Sequence, residues 1–142
     1  MLLDSAGLSD EHAEALADYL RDNSHTELLH LAGNELTDAA IEPLAAALST
    51  CAVRRLSLAS NHVQDGGAQC LAAALADGFA PEQLDLSDNM LSEEGALALV
   101  ESAARATPSL RWLDLRLNPL ISDAGRQQCA AASVGASFDL KL

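Results

Sequence analysis

Leu84–Leu91 reads LDLSDNML, and this stretch decides the fold. Leucines at 84, 86 and 91 flank an asparagine at 89, in an acidic chain with only four aromatic residues. Asp85, Ser87 and Asn89 alternate as calcium ligands would, but the calcium-loop reading fails. Met90 stands where that loop needs glycine, and Ala96 where it needs a glutamate.

The pattern recurs. LHLAGNEL (Leu29–Leu36), LSLASNHV (Leu56–Val63) and LDLRLNPL (Leu113–Leu120) share the apolar spacing and the asparagine. Asn34, Asn61, Asn89 and Asn118 are separated by 27, 28 and 29 residues. A weaker copy opens the chain, with Met1, Leu3 and Leu8 in the leucine positions and Ala6 replacing the asparagine. Leu140 and Leu142 start another, 27 residues after Leu113 and Leu115. A fixed period of this length with L-x-L-x-x-N-x-L is the signature of leucine-rich repeats.

Between these stretches lie helical segments. Leu16, Leu44, Leu71 and Leu99 fall ten residues after the asparagine position, and Leu20, Leu48 and Leu75 four further on. That i, i+4 pairing gives each helix one apolar face. Ser9, Thr37, Ser92 and Ser122 precede the helices as N-caps, each followed by an acidic residue suited to the positive helix end. A strand, then a full helix, with a period near 28, resembles the ribonuclease-inhibitor-like class of leucine-rich repeats. The repeat arrays of Ran GTPase-activating protein, tropomodulin and NOD-like receptors belong to the same class. The resemblance implies an α/β solenoid: a right-handed horseshoe segment with a parallel sheet on its concave face and α-helices on its convex face. In that family the asparagine amide bonds backbone groups of the turn, so Asn34, Asn61, Asn89 and Asn118 are expected to form a structural ladder.

The length fits one domain, residues 1–142, of about five repeats plus a final strand. Met1 already occupies a leucine position, and Leu142 lies within the last strand. Either another chain covers these ends or the sequence is a segment of a longer protein. No apolar run reaches membrane-span length, so no membrane partner is expected. Cys51, Cys70 and Cys129 are odd in number and lack zinc-like pairing, which fits a reducing, cytoplasmic setting. Cys129 takes a helix-leucine position and reads as a small core residue.

A net charge of −13 argues against nucleic acid as partner. Residues 1–52 hold ten carboxylates and one arginine, an acidic end able to attract a basic protein. The bland reading is that Asp10, Glu11, Glu14, Asp18 and Asp22 cap and solubilise outer helices. No phosphate-binding, zinc-protease or nucleophile-elbow motif occurs, and the four histidines lack metal-ligand spacing. Neither cofactor nor catalytic group is therefore expected. Asp85 and Asp114 fall one strand apart in one column, but on an open surface without a nucleophile, so binding is the better reading.

Alternation along each strand sends residues between the leucines to the concave face. That face is expected to carry His30, Arg55, Asp85, Trp112, Asp114 and Arg116, with small residues before the larger ones. Trp112 is the only tryptophan, and tryptophan and arginine are enriched among residues that dominate binding energy. The competing role for Trp112 is to cover the aliphatic parts of Arg55, Gln83 or Arg111. The function expected is a non-catalytic protein-binding module. The alternatives are a GTPase-activating or other regulatory array, and a structural segment of a large cytoskeletal or ciliary assembly.

Overall fold

The structure is a computed structural model describing residues 1–142. Five strands alternate with five helices: α1 (Ala13–Asp22), β1 (Leu28–His30), α2 (Asp38–Leu48), β2 (Arg55–Ser57), α3 (Asp65–Ala76), β3 (Gln83–Asp85), α4 (Glu93–Ala106), β4 (Trp112–Asp114), α5 (Asp123–Ala132) and β5 (Asp139–Lys141). A 3₁₀ turn over Asp10–His12 leads into α1. The strands form one open parallel sheet in the order β1-β2-β3-β4-β5, as a strand–helix repeat requires. The α/β leucine-rich-repeat solenoid expected from the 28-residue period is the architecture found. The first expected strand is reduced to a single parallel bridge from Leu2 to His30.

The register follows the leucines. Leu29, Leu56, Leu84, Leu113 and Leu140 align across the sheet. The first four are buried against the helices, together with Leu31, Leu58, Leu86 and Leu115. Helix leucines 44, 48, 71, 75 and 99 and Cys129 complete the core, and Phe79 is its largest fully buried side chain. Small residues let helices approach closely: Ser102 Oγ in α4 reaches the Ala72 carbonyl of α3 at 2.6 Å.

Helix starts are set locally. Thr37, Ser92 and Ser122 side chains accept from Ala39 N, Glu94 N and Gly125 N, each at the end of an extended entry. At the first helix the Ser9 amide donates to His12 Nδ1 at 3.1 Å. The Leu2 bridge and the first four strands each end in a turn whose first corner is left-handed: Ser5, Gly33, Ser60, Asp88 and Leu117 all have positive φ. Their amides still donate onward where a next repeat follows, Ser60 N to Ser87 O and Asp88 N to Arg116 O, each at 2.9 Å. Stacking between repeats therefore continues past the three-residue strands.

Candidate functional site

The strand register sets two columns on the concave face. Leu28, Arg55, Gln83, Trp112 and Asp139 are aligned in one, and His30, Ser57, Asp85, Asp114 and Lys141 in the next. Four of the expected contact residues meet. His30, Arg55, Asp85 and Trp112 line a shallow recess of about 180 Å³, with Ser57 and Gln83 between them. Arg55 is exposed and makes no ion pair, whereas Trp112 is half-buried. His30 Nδ1 lies 3.5 Å from Asp4 Oδ2 at the N-terminal side of this face.

Trp112 has a neighbour that alternation alone did not single out. Lys141 Nζ stands 4.7 Å from the indole centroid, a cation–π contact from the diagonal position on β5. The signal was available, since Lys141 falls one column over and one repeat on. Its flexible stem hid the outcome.

Asp114 requires a correction. It was expected as an exposed contact, but it is only 2% exposed. Its carboxylate accepts from Arg116 N at 3.1 Å, and from the guanidinium through Nε at 3.0 Å and Nη2 at 2.6 Å. Burial alone would raise the Asp114 pKa. The side-chain and backbone hydrogen bonds from Arg116 and the charges of Arg116 and Lys141 outweigh it, so the group ionises below its ordinary range. Arg116 thus spends its fork on Asp114, and its substitution tests stability along with binding. Asp85 likewise turns back locally, accepting from Ser87 N at 3.0 Å and Ser87 Oγ at 2.7 Å. The Asp85–Asp114 pair is two separately satisfied turn acceptors.

The asparagines lie inside the edge of the stack, all four buried. Asn61 Oδ1 accepts from Leu36 N at 3.1 Å, while Nδ2 donates to Leu31 O at 2.9 Å and Leu58 O at 3.0 Å. Asn89 does the same with Val63 N, Leu58 O and Leu86 O, and Asn118 with Leu91 N, Leu86 O and Leu115 O. Asn34 reaches back to Ala6 N, Leu8 N and Leu3 O. Each amide therefore joins its own repeat to the preceding one.

A second set of links was not anticipated. At the first four helix starts the acidic residue bonds the start of the next helix. Asp10 accepts from Thr37 N at 2.8 Å and Thr37 Oγ1 at 2.6 Å, and Asp38 from Gln64 N at 2.7 Å. Asp65 takes Ser92 N, Ser92 Oγ and Gly95 N, and Glu93 receives a longer bond from Ser122 N. The acid at this position was legible, but not its reach across 27 residues. Asp10 is consequently structural, a link between repeats and more than a solubilising surface charge.

Along this same edge, where strands turn toward helices, an open groove of about 860 Å³ crosses three successive turns. Met90, Leu117, Pro119 and Leu142 supply apolar surface, and Arg116 and Arg126 supply charge. Leu117 is 71% exposed. Sequence reasoning named Arg116 and the asparagines here but passed over Met90, Leu117 and Arg126, which lie outside the strand alternation.

Comparison with known proteins agrees with the architecture. A leucine-rich repeat family model matches residues 22–45, 51–72 and 82–100. The human NACHT, LRR and PYD domains-containing protein 5 is 35% identical over 115 residues, 80% of this chain and 10% of that protein. Pig ribonuclease inhibitor is 34% identical over 101 residues, 70% of this chain and 22% of its own. RAN GTPase-activating protein 2 of Arabidopsis thaliana is 31% identical over 124 residues, 85% of this chain and 22% of its own. The chain thus spans between a tenth and a quarter of these relatives' lengths. With its period, parallel sheet and asparagine-bearing turns, the chain is a leucine-rich repeat protein of the ribonuclease-inhibitor-like class.

Proposed function

We propose that this array is a non-catalytic binding module that takes a protein partner on the concave face, centred on the recess beside Trp112. Leucine-rich repeat arrays are protein-interaction modules, and the observation that supports this face is the recess itself. A half-buried indole flanked by Lys141 stands next to an unpaired Arg55, with small side chains Ser57 and Ala32 leaving room nearby. Aromatic and arginine side chains in such a setting supply much of an interface's binding energy.

The partner's charge acts at two ranges. The net charge of −13 would steer a basic partner toward the array from a distance. At contact the face is mixed: Asp4, Asp85 and Asp139 stand against Arg55 and Lys141, while Asp114 and Arg116 neutralise each other. A partner that presents both signs around an apolar side chain fits it best. Three free thiols support a reducing, cytoplasmic setting. No helix is long and apolar enough to cross a membrane.

The test is capture of partners from source-cell extract, followed by affinity measurement on the recovered protein. Trp112→Ala and Arg55→Ala should each weaken binding by about 1–4 kcal/mol with the fold intact. Glu14→Lys, on the outer helix, should leave it nearly unchanged. Loss of binding with Glu14→Lys but not with the concave variants would overturn this reading. The alignment to RAN GTPase-activating protein 2 over most of the chain supports a second reading, a regulatory array acting on a GTPase. Stimulated GTP hydrolysis by a captured GTPase would favour it. The share of the relatives that the chain spans supports a third, a structural segment of a larger assembly, which flanking repeats would favour.

A further inference from the structure

We propose that the groove along the turn edge docks an extended acidic peptide segment of a partner protein, with an apolar side chain as its anchor. This surface is separate from the concave recess, and the proposal does not depend on that recess binding anything. Two residues depart from the repeat at this place, in ways that the fold itself does not require.

The first is Leu117. The equivalent corners hold Ser5, Gly33, Ser60 and Asp88, small or polar residues that tolerate a left-handed backbone. Leu117 adopts the same conformation, φ 59°, yet leaves its side chain 71% exposed. It accepts backbone strain and buries almost nothing in return. Beside it, Met90 is 46% exposed, so the groove presents two uncovered apolar side chains on adjacent turns. A strained, uncovered leucine of this kind marks a place where a ligand supplies the missing contact.

The second is Arg126. It lies four residues after the helix cap, where Ala13, Ile41, Ala68 and Ala96 are buried apolar residues in the other repeats. Its guanidinium has no carboxylate within 4.0 Å, although the chain holds 21 carboxylates against eight lysines and arginines. It is half-buried and makes no side-chain hydrogen bond. The carboxylate in the groove, Asp88, is occupied by Ser60 Oγ at 2.8 Å, and the other guanidinium, Arg116, is held by Asp114. Arg126 is therefore a partly desolvated cation with an open fork, suited to a carboxylate.

The chemistry thus asks for an apolar side chain over Met90 and Leu117 and a carboxylate at Arg126. Adjacent repeats are about 5 Å apart, so three turns are spanned by roughly three to four extended residues. A short segment fits this edge better than a second copy, because a single carboxylate placed at Arg126 meets far less like-charge repulsion than a second whole chain of charge −13.

The experiment selects binders from a displayed random dodecapeptide library on the whole chain. Recovered peptides are then titrated by fluorescence anisotropy and mapped by amide chemical shifts. The expected consensus places Asp or Glu within a few residues of Leu, Ile or Phe, with shifts at residues 88–90, 116–119 and 126. Arg126→Glu and Leu117→Gly should each weaken the selected peptide about tenfold. Leu117→Gly suits the left-handed corner, so its thermal midpoint should hold, and Trp112→Ala should leave peptide affinity unchanged. A basic consensus, no enrichment, or shifts confined to the concave face would overturn the proposal. So would self-association abolished by Arg126→Glu, which would make the occupant a second copy.

Discussion

At the residue scale, short polar side chains do work that the leucines cannot. Each buried asparagine satisfies backbone groups in two repeats at once, so its loss leaves amides and carbonyls unpaired where water does not reach. Asn61→Ala and Asn89→Ala should each cost about 1–3 kcal/mol in urea unfolding. Ala6→Asn should change little, because Ala6 is exposed and already lacks the amide, so no buried backbone group depends on one there. Unchanged midpoints for the first two would count against the ladder. Arg116→Ala should lower the urea midpoint near pH 7, since it strands the buried Asp114 carboxylate. The sign with pH follows from Asp114 ionising below its ordinary range in the fold: its contribution is full above about pH 4 and fades as acid protonates it. The gap between wild type and Arg116→Ala should therefore narrow below pH 4, and a gap that widened there would contradict the pairing. Alternation placed Asp114 on the correct side of the sheet. Its depth was illegible, because depth depends on how Arg116 folds back over it.

At the element scale, the helix starts are linked by an acid that needs space. Gly95 supplies it: a Cβ there would lie 3.0 Å from Asp65 Cα and clash with the same residue's carboxylate. Gly67 does the same beside Asp38, where a Cβ would come within 2.7 Å of Oδ1. Gly95→Ala should therefore destabilise by about 1–3 kcal/mol, although alanine is the better helix former by about 1 kcal/mol. Calorimetry of that variant distinguishes the two effects, and a raised midpoint would show that the acid link is dispensable. The helices and their N-caps were legible because caps and apolar faces act within a dozen residues. The acid-to-next-helix bonds were not, because they depend on the offset between stacked repeats, which no local pattern encodes.

At the scale of the whole molecule, cohesion runs between neighbours, so position along the stack sets the cost of a defect. Leu84, central and fully buried, should cost about 2–5 kcal/mol when cut to alanine. Leu140, on the half-buried outermost strand, should cost distinctly less, and its variant should lose amide protection first around Asp139–Lys141. Equal costs for the two would indicate a single indivisible core. The solenoid itself was the most legible feature of the sequence, since its period appears in leucines and asparagines independently. The turn-edge groove was the least legible, because it is assembled from single residues of three turns.

The asparagine links all point the same way. Each side-chain amide grips the repeat before it, and none grips the repeat after. The stack is thus built like masonry in which every course is keyed to the one beneath. A course copied whole, such as residues 64–91, and set in behind itself would find its keyways already cut. A course cut half a repeat out of step would leave one amide gripping nothing. Lengthening this protein is therefore a matter of keeping the joint intact, and the joint to respect is the one that Asn61, Asn89 and Asn118 close.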